Sequence, residues 1–473
     1  MVNMLPNNPQ KPKDVLNKNG NKSPQFIAAT SASFAAFSTG TILGWTSQIS
    51  PQLLNGEYGF PINENQLGWI GSLTSLGAAF LCLFIGPLCD LIGRKPTKLL
   101  MVIPLILGWG LIAWAENVEM LYVGRFLTGM IGGASLVTAP LYCSEISENK
   151  IRGTLGCLTQ LMISFGLFFD VIIGKYADIK TYTLCCFGVP FVFIAFFIFM
   201  PETPVYYLKK NNVEEARKVL LKLRGNNYDI ETEIIEIKQS LDLSRGNNFI
   251  QTIKDASTRS STRKAFLITF GLMSFRFLCG VDSITAFTSY IFLNANENFD
   301  PEIGPIILVA IQVIFGVIQS SVVDKIGRRI LLLPSQIAIA ISLTAVAVGF
   351  LLKNQNLVDE TALEIINFIP LIALGVFYVG FAMGLAPIPL MLNAEINPQE
   401  TKSLVSSFNN CWGWLLAFAI TKSFLPIQEG IGPEGAFFIY AGFTFLGALF
   451  IWVFVPETKG KSNEEIQAIL IKR

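Results

Sequence analysis

The sequence predicts an all-α membrane protein: twelve transmembrane helices in two pseudo-symmetric six-helix bundles. Three observations carry this. First, 52% of the 473 residues are hydrophobic and only 15% charged, and the apolar runs repeatedly reach the roughly 20 residues needed to cross a hydrocarbon core. Second, a set of polar motifs occurs twice. Asp90-Leu91-Ile92-Gly93-Arg94-Lys95 returns as Asp324-Lys325-Ile326-Gly327-Arg328-Arg329, Glu145 with Arg152 returns as Glu395 with Lys402, and Pro201-Glu202-Thr203-Pro204 is echoed by Pro456-Glu457-Thr458-Lys459. Each offset is about half the chain, the mark of an internal duplication. Third, Lys and Arg concentrate in alternate loops.

The spans fall near 26–48, 68–89, 97–115, 120–143, 154–174 and 181–200, then 265–292, 304–323, 330–352, 365–394, 404–427 and 432–455. This divides the chain into a tail (1–25), a first bundle (26–200), a linker (201–264), a second bundle (265–455) and a second tail (456–473). Most of the 35 Lys and Arg lie in the tails, in the linker and between spans 2 and 3, 4 and 5, 8 and 9, and 10 and 11. The opposite loops carry mainly acidic residues, among them Glu57, Glu64, Glu116, Glu119, Glu297, Asp300, Glu302, Asp359, Glu360, Glu364, Glu429 and Glu434. The positive-inside rule then places both termini in the cytoplasm. An odd number of spans would put one bundle's basic loops on the wrong side, so the charge pattern also checks the number twelve. The cell membrane is the expected location.

Composition excludes several classes of function. A net charge of +1 gives no support to nucleic-acid binding. The absence of histidine removes the commonest proton shuttle and metal ligand, and with it any Ser/His/Asp arrangement. Eight cysteines, in spans or near the basic face, show neither metal-site spacing nor an extracellular disulfide framework. No enzyme activity, cofactor or obligate protein partner is expected; the partner that composition implies is membrane lipid. The first 25 residues lack an apolar core, so a removable leader is not expected. In the linker, Glu214, Glu215, Arg217, Lys218, Lys222 and Arg224 share an amphipathic helical pattern with Val213, Val219, Leu220 and Leu223. A second pattern runs through Ile234, Ile235, Ile237 and Leu241, and both read as surface helices.

A charge at a membrane boundary needs water or a partner. Asp90 and Arg94, with Asp324 and Arg328 in the second half, therefore form candidate gating clusters. Their repetition favours a lock between the halves over simple topology anchoring. Glu145 and Arg152, like Glu395 and Lys402, are seven residues apart across a span end. Each pair is expected to tie successive helices and to bias which mouth is open.

Further motifs complete the pattern: Gly40 through Ser47, Gly86 through Lys95, Gly124-Arg125 with Gly129, Tyr142 through Gly153, Gln160, Pro387-Ile388-Pro389 and Trp414 through Lys422. In order and spacing, these resemble the sugar porter family of the major facilitator superfamily, and within it the insect facilitated trehalose transporters. The resemblance covers nearly the whole chain and implies the major facilitator fold. It also implies facilitative transport of a sugar, trehalose or a hexose, by alternating access. In the family the sugar sits between the halves, held by Gln, Asn and Trp side chains of spans 5, 7, 10 and 11. Gln160 matches the span-5 Gln and Trp414 the span-11 Trp.

Other positions depart from the family. Its paired span-7 Gln, Ser-Gly step and following Asn correspond here to Arg276, Phe277, Cys279, Gly280 and Asp282. Its span-10 Trp is Leu390, the Asn before the span-11 Trp is Gly413, and an Arg after Pro204 is Val205. Arg276, Phe277 and Asp282 are therefore candidate binding residues of an altered cavity, and the alternative cargo is another polar or anionic solute. Arg276 and Asp282, six residues apart, lie on different faces of an ideal helix; either Gly280 breaks the helix and brings them closer, or each faces the cavity separately. Thr46 stands where proton-coupled relatives carry an Asp, and span 1 has no carboxylate, which favours a uniporter. A non-transporting sugar sensor is the alternative from another class.

Overall fold

The computed structural model describes residues 20–148, 151–244, 260–295, 300, 303–355, 367–397, 402–459, 461 and 463–472. Its elements are helical throughout. Span 1 is Lys22–Leu54, span 2 Glu64–Ile92, span 4 Val118–Ile146, span 5 Arg152–Tyr176 and span 6 Ile179–Phe197; span 3 runs through Arg94–Leu100 and Val102–Ala113. Three short helices follow, Pro204–Lys209, Val213–Arg224 and Ile230–Ser244. They are the surface helices the linker pattern predicts. The second half comprises span 7 (Ser260–Leu278 and Val281–Ala295), span 8 (Ile303–Ile326), span 9 (Arg328–Asn354), span 10 (Ile369–Gly380 and Ile388–Ile396) and a continuous helix, Lys402–Phe454, with a final helix at Asn463–Lys472.

Among the described residues, eleven helices are long and apolar enough to cross a membrane. The last, Val405–Phe454, has 50 residues, about 75 Å at 1.5 Å per residue and twice what a bilayer needs. It bends at Gly432, whose φ is 77°, and so supplies spans 11 and 12. Two more spans of the second half are interrupted. Span 7 breaks at Gly280, where φ is +80° and a Cβ would overlap the Tyr440 ring. Span 10 carries a π turn at Phe381–Leu385, in which the Ala386 amide donates to the Phe381 carbonyl over 2.8 Å. Pro387 and Pro389 follow directly, so the bend expected from the prolines is built as a π turn ahead of them.

Each bundle packs internally, and the halves meet along spans 2 and 11, 1 and 7, and 5 and 8. At mid-depth the seam is apolar: Ala78, Ala79 and Cys82 of span 2 meet Met273 and Phe277 of span 7 and Cys411, Trp414 and Ala417 of span 11. Bridges between the halves run from this level to the acidic face. Cys411 Sγ donates to the Ala79 carbonyl at 3.5 Å, and Ser47 Oγ accepts the Ser289 amide at 3.2 Å. At the acidic rim, Tyr290 donates to Glu64 at 3.2 Å, Lys422 to the Asn65 side chain at 2.5 Å, and Lys175 pairs with Asp300 at 2.5 Å. The conformation is one closed at the acidic face.

Candidate functional site

The duplicated motifs build the same clamp twice on the basic face. In the first half, Arg94 sends Nε and Nη2 to Glu145 Oε1 at 3.2 and 2.8 Å, and Nη2 also lies 3.1 Å from Asp90. The second oxygen of Glu145 accepts from Thr203 Oγ1 at 2.5 Å. Glu202 accepts the Lys95 amide at 2.9 Å, at the N-terminus of span 3, where the helix dipole favours an anion. In the second half, Arg328 sends Nε and Nη2 to Glu395 Oε1 at 3.2 and 3.0 Å, and Thr458 Oγ1 donates to Glu395 Oε2 at 2.6 Å. Glu457 accepts the Arg328 and Arg329 amides, both at 3.1 Å. Gly93 and Gly327 sit under these carboxylates with φ of +104° and +115°. A Cβ at Gly327 would come 2.9 Å from Glu457 Oε2, and one at Gly93 would overlap Glu202. Positive φ and the close carboxylate both select glycine there.

The two clamps differ in their surroundings. Burial pushes the Glu202 carboxyl up from its usual range, against the pull of the Thr203, Lys95 and Arg94 amides. Glu457 is less buried; burial pushes it up, but the amides of Lys459, Arg328, Arg329 and Thr458 together hold it below the usual range.

This geometry corrects two expectations. Glu145 binds Arg94 and Thr203, whereas Arg152 is exposed and away from it; a seven-residue spacing placed the two near a common turn, but the buried guanidinium of Arg94 is the better-desolvated partner. The clamps also close within their own halves: Arg94, Asp90, Glu145 and Thr203 all belong to the first half, and Arg328, Glu395 and Thr458 to the second. Among the described residues they are intra-bundle fasteners in this conformation, not a lock between bundles. The side chains of Asp324 and Lys402 lie outside the described residues, as do Lys11, Lys13, Lys18, Glu297, Glu302, Asp359, Glu360 and Glu364.

At the centre, three candidate binding residues come together. The Arg276 guanidinium lies 5.1 Å from the Phe277 ring centroid, and that ring is 5.9 Å from the ring of Trp414. Phe277 and Trp414 are buried in the apolar seam. A Cβ on Gly413 would overlap the Phe277 ring. Beyond the Gly280 break, Asp282 lies close enough for its charge to bear on Arg276, but the two do not form an ion pair. Arg276 Nε and Asp282 Oδ2 are both buried without a hydrogen-bond partner. Gln160 is half-buried on span 5 with its carbonyl oxygen unpartnered.

Between the halves and toward the acidic side lies a small cavity, with room for about one water. Gly44, Ser47, Leu167 and Val171 of the first half face Thr285, Thr288, Pro305, Leu308, Val309 and Tyr378 of the second. Tyr378 and Thr285 share a hydrogen bond of 3.1 Å. The polar members of this wall were not singled out from the sequence, because lone hydroxyls in apolar helices are common helix–helix contacts. Also missed was Asp170 in span 5, which is fully buried beside Gly44. Its signal was present: a carboxylate in the middle of an apolar run.

The chain matches the family model described as "Sugar (and other) transporter" over residues 24–470. It is 33% identical over 446 residues to the facilitated trehalose transporter Tret1 of Bombyx mori, covering 94% of this chain and 86% of that protein. Against the Tret1 of Anopheles gambiae it is 32% identical over 450 residues, covering 95% of this chain but 56% of that protein's length. Its fold resembles the xylose transporter XylE from E. coli in a partially occluded inward open conformation, with a TM-score of 0.77 and 20% identity over 93% of this chain and all of the other. The human organic anion transporter MFSD10 matches more distantly, with a TM-score of 0.57 and 14% identity over 93% of this chain.

Proposed function

The chain belongs to the sugar (and other) transporter family, and from that premise we propose that it carries a sugar down its gradient by alternating access. Trehalose or a hexose is the cargo class that the Tret1 likeness favours. The observation that carries this reading is the central placement of Trp414, on the seam between two bundles that are closed at one face. An aromatic face there covers the apolar side of a sugar ring, while amides and hydroxyls exchange hydrogen bonds with its edges. Basic loops facing the cytoplasm, with the acidic rim outside, give the orientation. In that orientation the conformation is closed to the outside. The cell membrane is the proposed location, and the chain divides as tail, six spans, linker, six spans and tail.

A second reading rests on a specific feature. Arg276 Nε and Asp282 Oδ2 are buried and unpartnered beside the seam. A solute bearing a carboxylate would satisfy the guanidinium, and one bearing hydroxyls would satisfy Asp282. Uptake into proteoliposomes decides between the readings. Trehalose and glucose uptake that is lost in Trp414→Ala supports sugar transport; uptake of an organic anion that is lost in Arg276→Gln supports the other cargo. Binding without flux would mean a sensor.

A further inference from the structure

We propose that Asp170 is a proton-binding site whose occupancy is linked to alternating access. The argument begins with its surroundings. The Asp170 side chain is fully buried in span 5. Oδ1 accepts a long contact of 3.6 Å from Cys186 Sγ, and Oδ2 has no hydrogen-bond partner. The nearest cation is Arg125 of span 4, but three of its five N–H groups are directed to other acceptors and none bonds Asp170. Nε donates to the Ile70 carbonyl at 3.1 Å, Nη1 to the Ile42 carbonyl at 2.9 Å and Nη2 to Thr46 Oγ1 at 2.7 Å. Its guanidinium also stacks on Trp45 at 5.1 Å. The two side chains therefore form no ion pair. The Tyr182 hydroxyl is close by and likewise without a well-formed hydrogen bond.

A carboxylate buried without a paired cation is expensive, and binding a proton removes that cost. The site is also one backbone thickness from the cavity between the halves. Gly44 lines that cavity, and on its other side a Cβ at Gly44 would overlap Asp170 Oδ2. Leu167 and Val171, three residues before and one after Asp170, line the same cavity. Separation of spans 1 and 5 from spans 7 and 8 as the halves rock would widen the cavity and bring water to the Gly44 backbone that covers Oδ2. That change favours the ionised form. The O–H bond of the carboxyl then breaks and its proton passes to cavity water; the reverse step takes a proton from water and restores the neutral acid.

The titratable and charged groups facing Asp170 are few. Span 4 presents Arg125, and span 6 presents Tyr182 and Cys186, with Cys185 next to it. Span 1 presents Gly44, which has no side chain. Thr46 lacks the carboxylate that would make span 1 the proton carrier, yet span 5 supplies one to the same Arg125 cluster. The expectation of a uniporter rested on span 1 alone, and the three-dimensional arrangement removes that ground.

The inference rests on alternating access but not on the identity of the solute, so its test uses no solute. Fluorophores introduced by genetic-code expansion at Glu57 and Gly430 report the gap between the halves at the acidic face in proteoliposomes. From about pH 5 to about pH 9 the closed-to-open ratio of the wild type should fall by up to tenfold per pH unit across the titration. Asp170→Asn should stay closed and respond less than about twofold over the same range. If Asp170→Asn does not reach the membrane, Asp170→Ser, which also lacks the proton, replaces it. Glu64→Gln, which removes the Tyr290 bridge at the acidic rim, should shift the closed-to-open ratio but keep its wild-type dependence on pH. A flat wild-type curve overturns the proposal, as does a variant that follows the wild-type curve. Failure of every sugar to be transported would instead strike the proposed cargo and leave this result standing.

Discussion

The ring of Phe277 fills the space that a side chain on residue 413 would occupy, so the glycine at 413 and the phenylalanine at 277 are one structural feature. Both positions depart from the pattern the sequence resembles, where an amide stands at each. Read separately they are two lost polar contacts. In the structure they are a compensated exchange, a larger apolar ring on span 7 against a missing side chain on span 11.

Gly413→Asn in the present chain should therefore be disruptive, because it forces the ring aside, a cost of about 1–3 kcal/mol for overpacking. Adding Phe277→Gln should recover at least about 1 kcal/mol of it. Thermal midpoints of the two single variants and the double variant in detergent close the cycle. Additive losses would show that the two positions are independent.

The two clamps should differ in strength. Arg94 and Glu145 are 2% and 9% exposed, whereas Arg328 and Glu395 are 12% and 28% exposed. Removing one partner of a buried pair costs about 3–5 kcal/mol, and a wetter pair costs less. Arg94→Ala should lower the thermal midpoint more than Arg328→Ala. Arg152→Ala, at an exposed position, should change it little.

Acid should act oppositely on the two clamp glutamates. The Glu202 carboxyl is raised above 4.5 in the folded protein, so its contribution is fully present below 4.5 and is lost as pH rises through the raised value. The Glu457 carboxyl is lowered, so its contribution is present above 4.5 and is lost as pH falls through the lowered value. Glu202→Gln should flatten the stability profile just above pH 4.5. Glu457→Gln should flatten it below. Thermal midpoints across the acid range report both slopes.

Closure at the acidic face should depend on Lys422. Its Nζ donates to the Asn65 carbonyl and side chain at 3.1 and 2.5 Å and lies 4.7 Å from the Trp69 ring centroid. Such partly exposed contacts are worth about 1 kcal/mol, so Lys422→Met should lower the closed-to-open ratio about fivefold. Distances between labels on the two halves at this face measure it.

What the sequence revealed follows from how local each signal is. The two-bundle architecture was legible because apolar length and the twofold repeat of Gly93 and Gly327 are chain-local patterns. The clamps were half legible. Their members were named, but Glu145 was assigned to Arg152, its neighbour along the chain, rather than to Arg94, 51 residues away. Thr203 and Thr458 stand in the repeated Pro-Glu-Thr motif, but nothing along the chain tells that they hold the second carboxylate oxygens. Phe277 and Trp414 were named as candidate cavity residues, and their contact became visible only in three dimensions. Asp170 has no partner along the chain, and only the packing of spans 1, 4, 5 and 6 brings it near Arg125.

The position of the clamps along the chain has a consequence for synthesis. The clamp of the first bundle at the basic face, Asp90, Arg94, Glu145, Glu202, Thr203 and Lys209, is complete in the chain by residue 209. The first bundle can buckle itself shut while span 7 is still untranslated. The second repeats the operation only when Glu457 and Thr458 emerge, near the very end. The chain can thus be assembled as two units in succession, and an interruption of the backbone between residues 225 and 260 would leave each unit holding its own clamp.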